Sequence, residues 1–362
     1  MTDVLRPTAK RRGAQIEPAN RFEPAHREDD FEHREHDEEL LASARVVETQ
    51  FIPDHSKSLL TENSSPDIPF RWSINPYRGC EHGCVYCYAR PTHEMLGMNA
   101  GIDFETKIMV KLRAAELLRA ELSSPKWRPE LISMSGVTDC YQPAERKFRL
   151  TRGCLDVLLE ARQPVALVTK NALVLRDLDL IREMATLGLV HVAVSLTTLD
   201  AELAHTMEPR TSPPAERLRA VRELSAAGVP VGVMVAPVVP GLTDSEMPNI
   251  LRAASAAGAR AAGYILLRLP WNVEPVFVDW LQRSYPLKQL RVESLIRQMR
   301  GGRMNDGNFG SRMRGQGVMA EQIEHVFDVF TKKFGLDGDL PELDYTQFRP
   351  PRPPSGQLSL FS

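Results

Sequence analysis

Short apolar runs alternate with longer amphipathic stretches from about residue 71 to residue 267. Six of the runs are rich in β-branched residues and lack a strict alternation of apolar and polar positions. That pattern is typical of parallel strands that are buried on both faces of a sheet. The predicted strands are RWSIN (71–75), LISMS (131–135), VALVT (165–169), VHVAVSL (190–196), VGVMVAP (231–237) and AGYILL (262–267).

The stretches between these runs have the spacing of amphipathic helices, and three of them reach a glycine that suits a helix C-cap, namely Gly188, Gly228 and Gly258. We therefore expect an α/β fold, a partial (β/α)6 barrel that right-handed crossovers close part of the way. A flat, doubly wound sheet is the competing architecture. In either fold, functional residues gather at the carboxyl ends of the strands.

The two ends of the chain differ from this core in composition. Residues 1–45 mix charges densely with few aliphatic residues, which predicts a disordered tail. The core is expected over 46–285, and 286–335 is expected to form a C-terminal helical extension with two helices around a Gly- and Arg-rich loop. Residues 336–362 form a Pro-rich tail.

Bulk charge and cysteine use narrow the class of protein. The 45 basic and 47 acidic residues nearly cancel, so no overall basic field indicates nucleic acid, although a local basic patch remains compatible with it. No apolar stretch approaches the ~20 residues that cross a bilayer, and no apolar segment follows the basic start. Five cysteines, three of them between positions 80 and 87, argue against a secreted disulfide framework. We expect a cytoplasmic protein with no membrane partner.

Three cysteines form the most specific motif. Cys80, Cys84 and Cys87 have the spacing C-x3-C-x2-C directly after the first predicted strand. Three thiolates on one loop suit three corners of a 4Fe-4S cube and leave the fourth iron without a protein ligand. The alternative is a zinc site with His82 as fourth ligand, but closed zinc sites usually use two C-x2-C pairs.

This motif resembles the signature of the radical S-adenosylmethionine (SAM) superfamily, C-x3-C-x-aromatic-C, with Tyr86 as the aromatic residue. The resemblance implies a 4Fe-4S cluster whose open iron binds SAM and whose electron cleaves it to methionine and a 5'-deoxyadenosyl radical. It also implies an electron donor such as flavodoxin or ferredoxin. The cofactors carry the chemistry, and the protein positions the substrate.

The resemblance further implies contacts to SAM at the ends of two strands. The stretch SGVTD after the second strand resembles a Gly-Gly-Glu region that receives the SAM amino group, although it departs from it at two of three core positions. The stretch SLTT after the fourth strand matches a position of polar contacts to SAM. The cofactor-binding residues so implied are Tyr86, Ser135, Gly136, Thr138, Ser195 and Thr197.

Within the superfamily, the stretches NPYRGC, CVYCYARP and TDCYQPAE resemble the spore photoproduct lyase-like branch, many of whose members are labelled DNA repair photolyases. In the lyase a cysteine returns a hydrogen atom to the repaired thymine radical. Cys140 follows the second strand and is the candidate for this catalytic role; the alternative is a small buried apolar residue. Cys154 falls mid-helix on an apolar stripe, where core packing is favoured.

Two further segments suggest partners. Gln357, Leu358, Ser359, Leu360 and Phe361 resemble the pentapeptide by which bacterial polymerases and repair proteins bind the DNA sliding clamp. The alternative is a tail that packs Leu360 and Phe361 on its own domain. The arginines of the segment 297–314 would suit phosphates, a solvated loop or a lid over the barrel mouth.

These features leave three hypotheses. The first is a radical SAM enzyme that acts on DNA, with lyase-like lesion repair as the model. The second is radical SAM modification of RNA, a protein or a small metabolite. The third is a non-enzymatic iron-sulfur or zinc protein that serves as a redox or binding module.

Overall fold

The computed structural model describes residues 9–23 and 46–352, and a seven-stranded sheet with the order β10-β9-β8-β7-β6-β3-β2 forms its centre. All six predicted strands are present, and they lie parallel in chain order. The predicted α/β partial barrel is confirmed. The strands are β1 (Gln50–Pro53), β2 (Leu60–Glu62), β3 (Trp72–Ile74), β4 (Tyr77–Arg78), β5 (Lys107–Val110), β6 (Ile132–Met134), β7 (Val165–Thr169), β8 (Val190–Ser195), β9 (Val231–Val238) and β10 (Ala261–Leu266).

Helices connect the parallel strands and cover the sheet. Gly188, Gly228 and Gly258 follow helices with φ of 68°, 83° and 96°, a backbone conformation that glycine adopts without a Cβ penalty, so the predicted C-caps are confirmed. The helices are Ile102–Thr106, Ala114–Leu122, Glu145–Phe148, Leu150–Ala161, Leu178–Thr186, Ala201–Met207, Pro214–Ala226, Met247–Ala256, Val273–Ser284, Gln289–Met299, Ser311–Arg314 and Val318–Phe334. No helix in the described part of the chain is long and apolar enough to span a membrane.

A second, three-stranded sheet was not predicted. Its order is β1-β5-β4, with β1 parallel and β4 antiparallel to β5. The strand β4 leads directly into the cysteine loop, and Cys80 N donates a hydrogen bond to Phe104 O at 2.9 Å. The small sheet and the helix Ile102–Thr106 therefore hold the start of the loop that carries the three cysteines.

The N-terminal expectation needs a correction for residues 9–23. The side chain of Arg12 is buried and donates to Glu105 O at 2.9 Å and to Val47 O at 2.8 Å. Ala14 is completely buried. We call residues 9–23 the strap. They order because one buried carboxylate, Glu105, receives their backbone N–H groups, a contact that composition alone does not reveal. Residues 24–45 lie outside the described part.

The C-terminal segment also packs on the core over its described length. Ala262 N on the edge strand β10 donates to Leu336 O at 3.0 Å, and Asp344 N donates to Gly188 O at 2.9 Å. Arg349 N donates to Ala161 O at 2.9 Å. Leu336 thus pairs with a sheet edge that would otherwise offer unpaired backbone groups, and the residues after it bond to the ends of two helices.

Candidate active site

Cys80, Cys84 and Cys87 lie on one loop at the carboxyl end of β3, and two local hydrogen bonds shape it. Gly83 N donates to Cys80 O at 3.3 Å, and Cys87 N donates to Cys84 O at 3.2 Å. Burial raises the pKa of the Cys80 thiol, and the negative charges of Asp139, Cys87 and Cys84 raise it further. The three predicted ligand residues thus lie on one short, hydrogen-bonded loop.

Glycine is needed at two positions of this loop. Gly79 has φ of 80°, and a Cβ there would lie 2.8 Å from Cε1 of His93. Gly83 has φ of 67°, and a Cβ there would lie 2.6 Å from Oε2 of Glu105. The backbone of the loop is packed tightly on both sides at these positions. Both glycines are therefore needed for the path that the loop follows.

The donor set fits an iron-sulfur cube better than a closed zinc site. The three cysteines are free thiols. Both ring nitrogens of His82 already face partners, Nδ1 towards Asp139 at 3.4 Å and Nε2 towards Asn171 at 3.2 Å, and burial lowers the pKa of His82 to about 4. No three His, Cys, Asp or Glu residues of 9–23 and 46–352 are grouped as ligands of one metal ion. A cube spreads its thiolates over separate iron atoms.

A buried ion pair contacts the backbone of the cysteine loop. Arg90 is completely buried and donates to Cys84 O at 2.8 Å, to Gly83 O at 3.2 Å and to Glu105 at 2.6 Å. The same Glu105 carboxylate accepts hydrogen bonds from Gly13 N at 3.0 Å and Ala14 N at 2.8 Å. Arg90 and Glu105 were not predicted, because their role depends on segments that are distant in sequence.

Beside the loop, Glu208 is the centre of a second buried network. Its carboxylate accepts hydrogen bonds from Tyr86 OH, from Thr197 Oγ1 at 2.7 Å and from Arg217. Lys170 Nζ lies 3.3 Å from its Oε1. Burial alone would raise the pKa of Glu208, but Arg217 and Lys170 outweigh burial and hold it well below its ordinary value. Glu208 is ionised, and it links the aromatic residue of the cysteine motif to β8.

Lys170 connects this network to the ends of three strands. Its Nζ donates to Ser195 Oγ at 2.6 Å, to Thr197 Oγ1 at 3.2 Å and to Ala236 O at 2.9 Å. Tyr86, Ser195 and Thr197, predicted as cofactor contacts, are thereby brought together. Lys170 was missed, although a lysine directly after a buried strand was visible in the run VALVTK.

The other predicted cofactor residues lie at the end of β6, where their polar groups contact protein. Ser135 has φ of 74°, and its Oγ accepts from Cys140 N at 2.8 Å. Thr138 Oγ1 donates to Tyr77 O at 2.8 Å, and Gly136 O accepts from Tyr88 OH at 2.6 Å. These contacts shape the turn. Any contact of this turn with a cofactor stays a prediction.

Cys140 is completely buried and belongs to the main apolar core, together with Tyr141 and Cys154. A hydrogen-atom donor must touch the substrate radical, so this position favours core packing, the alternative that the sequence left open. Cys154 packs in the core as expected. The donor role of Cys140 stays a prediction.

The mouth of the partial barrel lies between its two edges. Arg312 pairs with Asp67 at 2.5 Å, and Arg300 donates to Leu267 O at 2.7 Å, so the Gly- and Arg-rich loop ties the β10 side to the segment that precedes β3. Arg268 lies 5.7 Å from the ring of Tyr88, which is 48% exposed. These contacts tie the loop to the core, and its role as a phosphate site, a solvated loop or a lid stays a prediction.

The family model described as the radical SAM superfamily matches residues 74–254, half of the chain. This chain belongs to the radical SAM superfamily. The cofactors of these enzymes are a 4Fe-4S cluster and SAM, and the match begins at the last residue of β3, just before the cysteine loop.

Two curated proteins resemble the chain in sequence, one over 72% of its length and the other over 49%. The uncharacterized protein Rv2578c of Mycobacterium tuberculosis (strain ATCC 25618 / H37Rv) is 42% identical over 265 residues, 72% of this chain and 78% of that protein. The uncharacterized protein MJ0683 of Methanocaldococcus jannaschii is 30% identical over 176 residues, 49% of this chain and 63% of that protein.

Among solved structures, spore photoproduct lyase complexed with dinucleoside spore photoproduct has a TM-score of 0.58 to this radical SAM enzyme. The likeness covers 78% of this chain and 79% of that chain at 18% identity. At this identity it shows a shared fold, and the fold is the one that the cysteine motif predicted.

Proposed function

We propose that Cys80, Cys84 and Cys87 hold a 4Fe-4S cluster and that the enzyme uses it to cleave SAM reductively. When bound, these cofactors supply methionine and a 5'-deoxyadenosyl radical. The observation that carries the proposal is the position of three free thiols on one loop beside the buried network of Lys170 and Glu208. Free thiols also suit the reducing cytoplasm.

The chain's own residues have binding and exclusion roles in this proposal. Lys170 is held by Ser195 and Thr197 at the strand ends, and a cation there complements the carboxylate of a bound methionine group. Glu208 balances the charge of Lys170 and fixes Tyr86 by a hydrogen bond. The loop across the mouth limits access of water to the radical.

Substitution of each cluster cysteine by alanine tests the proposal. Cys80→Ala, Cys84→Ala and Cys87→Ala should each lose the iron absorbance and all formation of 5'-deoxyadenosine under anaerobic reconstitution, because two thiolates hold a cube poorly. Cys154→Ala is the matched control, since it removes a thiol from the core and should retain both. Iron content and SAM cleavage like those of the wild type in any cluster variant would refute the assignment.

We propose DNA as the substrate class, with lyase-like repair of a base lesion as the reaction. Support comes from the fold shared with spore photoproduct lyase and from the likeness of the tail to clamp-binding peptides. The test is anaerobic incubation with SAM, a reductant and DNA that carries spore photoproduct, with undamaged DNA as control. SAM cleavage without loss of the lesion would support the radical chemistry and would refute this substrate.

The proposed protein partner is the DNA polymerase sliding clamp. Gln357, Leu358, Leu360 and Phe361 lie outside the described residues, and the Pro-rich spacer before them suits an extended peptide that places Leu and Phe in an apolar cleft. When Leu360 and Phe361 are changed to alanine, the enzyme should no longer be recovered in a pull-down with the sliding clamp. Unchanged retention would mean that the tail has another role.

A further inference from the structure

Three of the carboxylates around the cysteine loop have a cationic partner, and a fourth, that of Asp139, has none. The three paired carboxylates are Glu81 with Arg210, Glu105 with Arg90, and Glu208 with Arg217 and Lys170. Within residues 9–23 and 46–352, no lysine or arginine side chain forms an ion pair with Asp139, and His82 is its contact in the loop. The charge of Asp139 is therefore not balanced by a neighbouring cation.

Neutral donors at the ends of β6 and β7 hold the Asp139 carboxylate in place. Tyr141 N donates to its Oδ1 at 2.8 Å, and Lys170 N donates to its Oδ2 at 2.7 Å. Thr169 Oγ1 donates to its Oδ1 at 2.8 Å. The side chain is only 11% exposed, so water has little access to it. These hydrogen bonds fix the position of the carboxylate and leave its net charge unchanged.

His82, a residue of the cysteine loop, contacts Asp139 without neutralising it. Its Nδ1 lies 3.4 Å from Asp139 Oδ2, and its Nε2 lies 3.2 Å from the side-chain nitrogen of Asn171. The side-chain oxygen of Asn171 already accepts from Leu173 N at 3.0 Å, so its amide nitrogen donates to Nε2. The His82 proton therefore lies on Nδ1, towards the carboxylate, and the imidazole ring is neutral.

Asp139 belongs to a turn that packs on the backbone around Cys80. In the same turn, Gln142 accepts a hydrogen bond from Glu81 N at 2.9 Å and donates one to Gly79 O at 3.1 Å, so it bonds the residues on both sides of Cys80. Gln142 N donates to Asp139 O at 3.3 Å. After burial, the charge of Asp139 also contributes to the raised pKa of the Cys80 thiol.

We propose that Asp139 lowers the reduction potential of the iron-sulfur cluster by placing an unbalanced negative charge beside it. The inference rests on the proposed function, because the three cysteines must hold the cluster. An external one-electron reductant supplies the electron, and no bond forms or breaks. A fixed negative charge disfavours the added electron, and more strongly in a protein interior than in water. A cluster of lower potential is a stronger reductant once reduced, which suits electron transfer to a sulfonium.

The alternative is a purely structural role, in which Asp139 only ties the cysteine loop to the strand ends. Two substitutions separate the charge from the contact. Asp139→Asn removes the charge and nearly keeps the size of the side chain. Thr169→Val removes one hydrogen bond to the carboxylate and keeps the charge.

The matched control is Asp344→Asn. The Asp344 carboxylate is also held by neutral donors, Thr346 Oγ1 at 2.6 Å and Gln347 Nε2 at 2.6 Å. Its backbone N donates to Gly188 O, before the start of β8, whereas the cysteine loop lies at the opposite ends of the strands. The control thus makes the same change of net charge far from the loop.

The experiment uses the full-length enzyme, reconstituted anaerobically with iron and sulfide and studied without SAM. Each variant is titrated with dithionite in the presence of redox mediators, and the reduced cluster is followed by electron paramagnetic resonance. Thermal unfolding of each variant is measured in parallel. Asp139→Ser serves as a second neutral variant at the same position.

At the midpoint potential of the wild type, Asp139→Asn should raise the ratio of reduced to oxidised cluster about tenfold. For a one-electron couple this corresponds to a positive shift of about 59 mV. Asp139→Ser should shift the potential in the same direction. Thr169→Val should unfold at a lower temperature without any positive shift, and Asp344→Asn should titrate like the wild type.

An unchanged potential in both neutral variants would overturn the inference. An equal positive shift in Thr169→Val would also overturn it, because the contact and not the charge would then set the potential. Failure of both neutral variants to fold would assign Asp139 a structural role instead. A wild-type enzyme that takes up no iron would refute the proposed function, whereas a loaded enzyme whose potential is insensitive to Asp139 refutes the inference alone.

Discussion

Glu208 carries a negative charge inside the protein, where Arg217 and Lys170 are its cationic partners. Glu208→Gln would leave both cations without their counter-charge. We expect a loss of about 3–5 kcal/mol in the free energy of unfolding, measured by urea denaturation at pH 7. Glu223→Gln, which removes one of the two exposed carboxylate partners of Arg219, is the control and should cost less than about 1 kcal/mol.

The pH dependence of this difference follows from the lowered pKa of Glu208. In the unfolded chain the group protonates near its ordinary value of 4.5, while in the folded protein it stays ionised to lower pH. Its contribution is present above that value and is lost as the pH falls below it. The stability gap between wild type and Glu208→Gln should therefore narrow on acidification from pH 5. A gap that widens there would contradict the assigned charge state.

Cys140 and Cys154 form a natural pair for a test, since both are completely buried in the same core. We expect Cys140→Ala to leave SAM cleavage intact and to lower stability by about 1 kcal/mol, as Cys154→Ala does. Under the packing interpretation, substrate turnover is also retained. Loss of turnover in Cys140→Ala alone, with SAM cleavage preserved, would restore the hydrogen-donor role.

At the scale of elements, the cysteine loop is held between the Arg90–Glu105 pair and the strap. A Cβ on Gly13 would lie 1.9 Å from Gly83 O, so Gly13→Ala forces the strap away from the loop. We expect faster amide hydrogen exchange over residues 9–23 and a loss of about 1–3 kcal/mol in stability.

Gly307→Ala is the control for this change, because Gly307 has open space around it and no positive φ. It should leave both hydrogen exchange and stability within error of the wild type. If Gly13→Ala behaves the same way, the strap does not pack on the cysteine loop in solution.

The elements that could be predicted differ physically from those that could not. The strands β7, β8 and β9 are runs of five to eight residues, most of them apolar and many of them valine, a pattern that favours burial on both faces. By contrast, β1 reads QFIP and β4 reads YR, and neither is a run of β-branched residues. The small sheet that precedes the cysteine loop therefore has no recognisable sequence signature.

At the scale of the whole molecule, the motif located the site but not the residues that complete it. Cys80, Cys84 and Cys87 can be recognised from their local spacing in the sequence. Lys170 and Glu208 act through partners brought together by folding, and Tyr86 and Glu208 are 122 positions apart. Contacts between residues so far apart in sequence depend on the crossovers of the barrel. Patterns among neighbouring residues therefore do not predict them.

The segment matched by the family model should not fold by itself. Residues 74–254 lack β10, which pairs with β9, and lack the strap that bonds Glu105. We expect this fragment to show no cooperative thermal transition, whereas 9–352 unfolds in one. Circular dichroism and calorimetry on both fragments check this, and a sharp transition in the short fragment would count against the packing described.

The strap is synthesised long before the residues that hold it. Gly13 donates to Glu105 across 92 positions and rests on Gly83, so neither contact exists until the cysteine loop has left the ribosome. The strap is therefore made early but can pack on the core only late in synthesis.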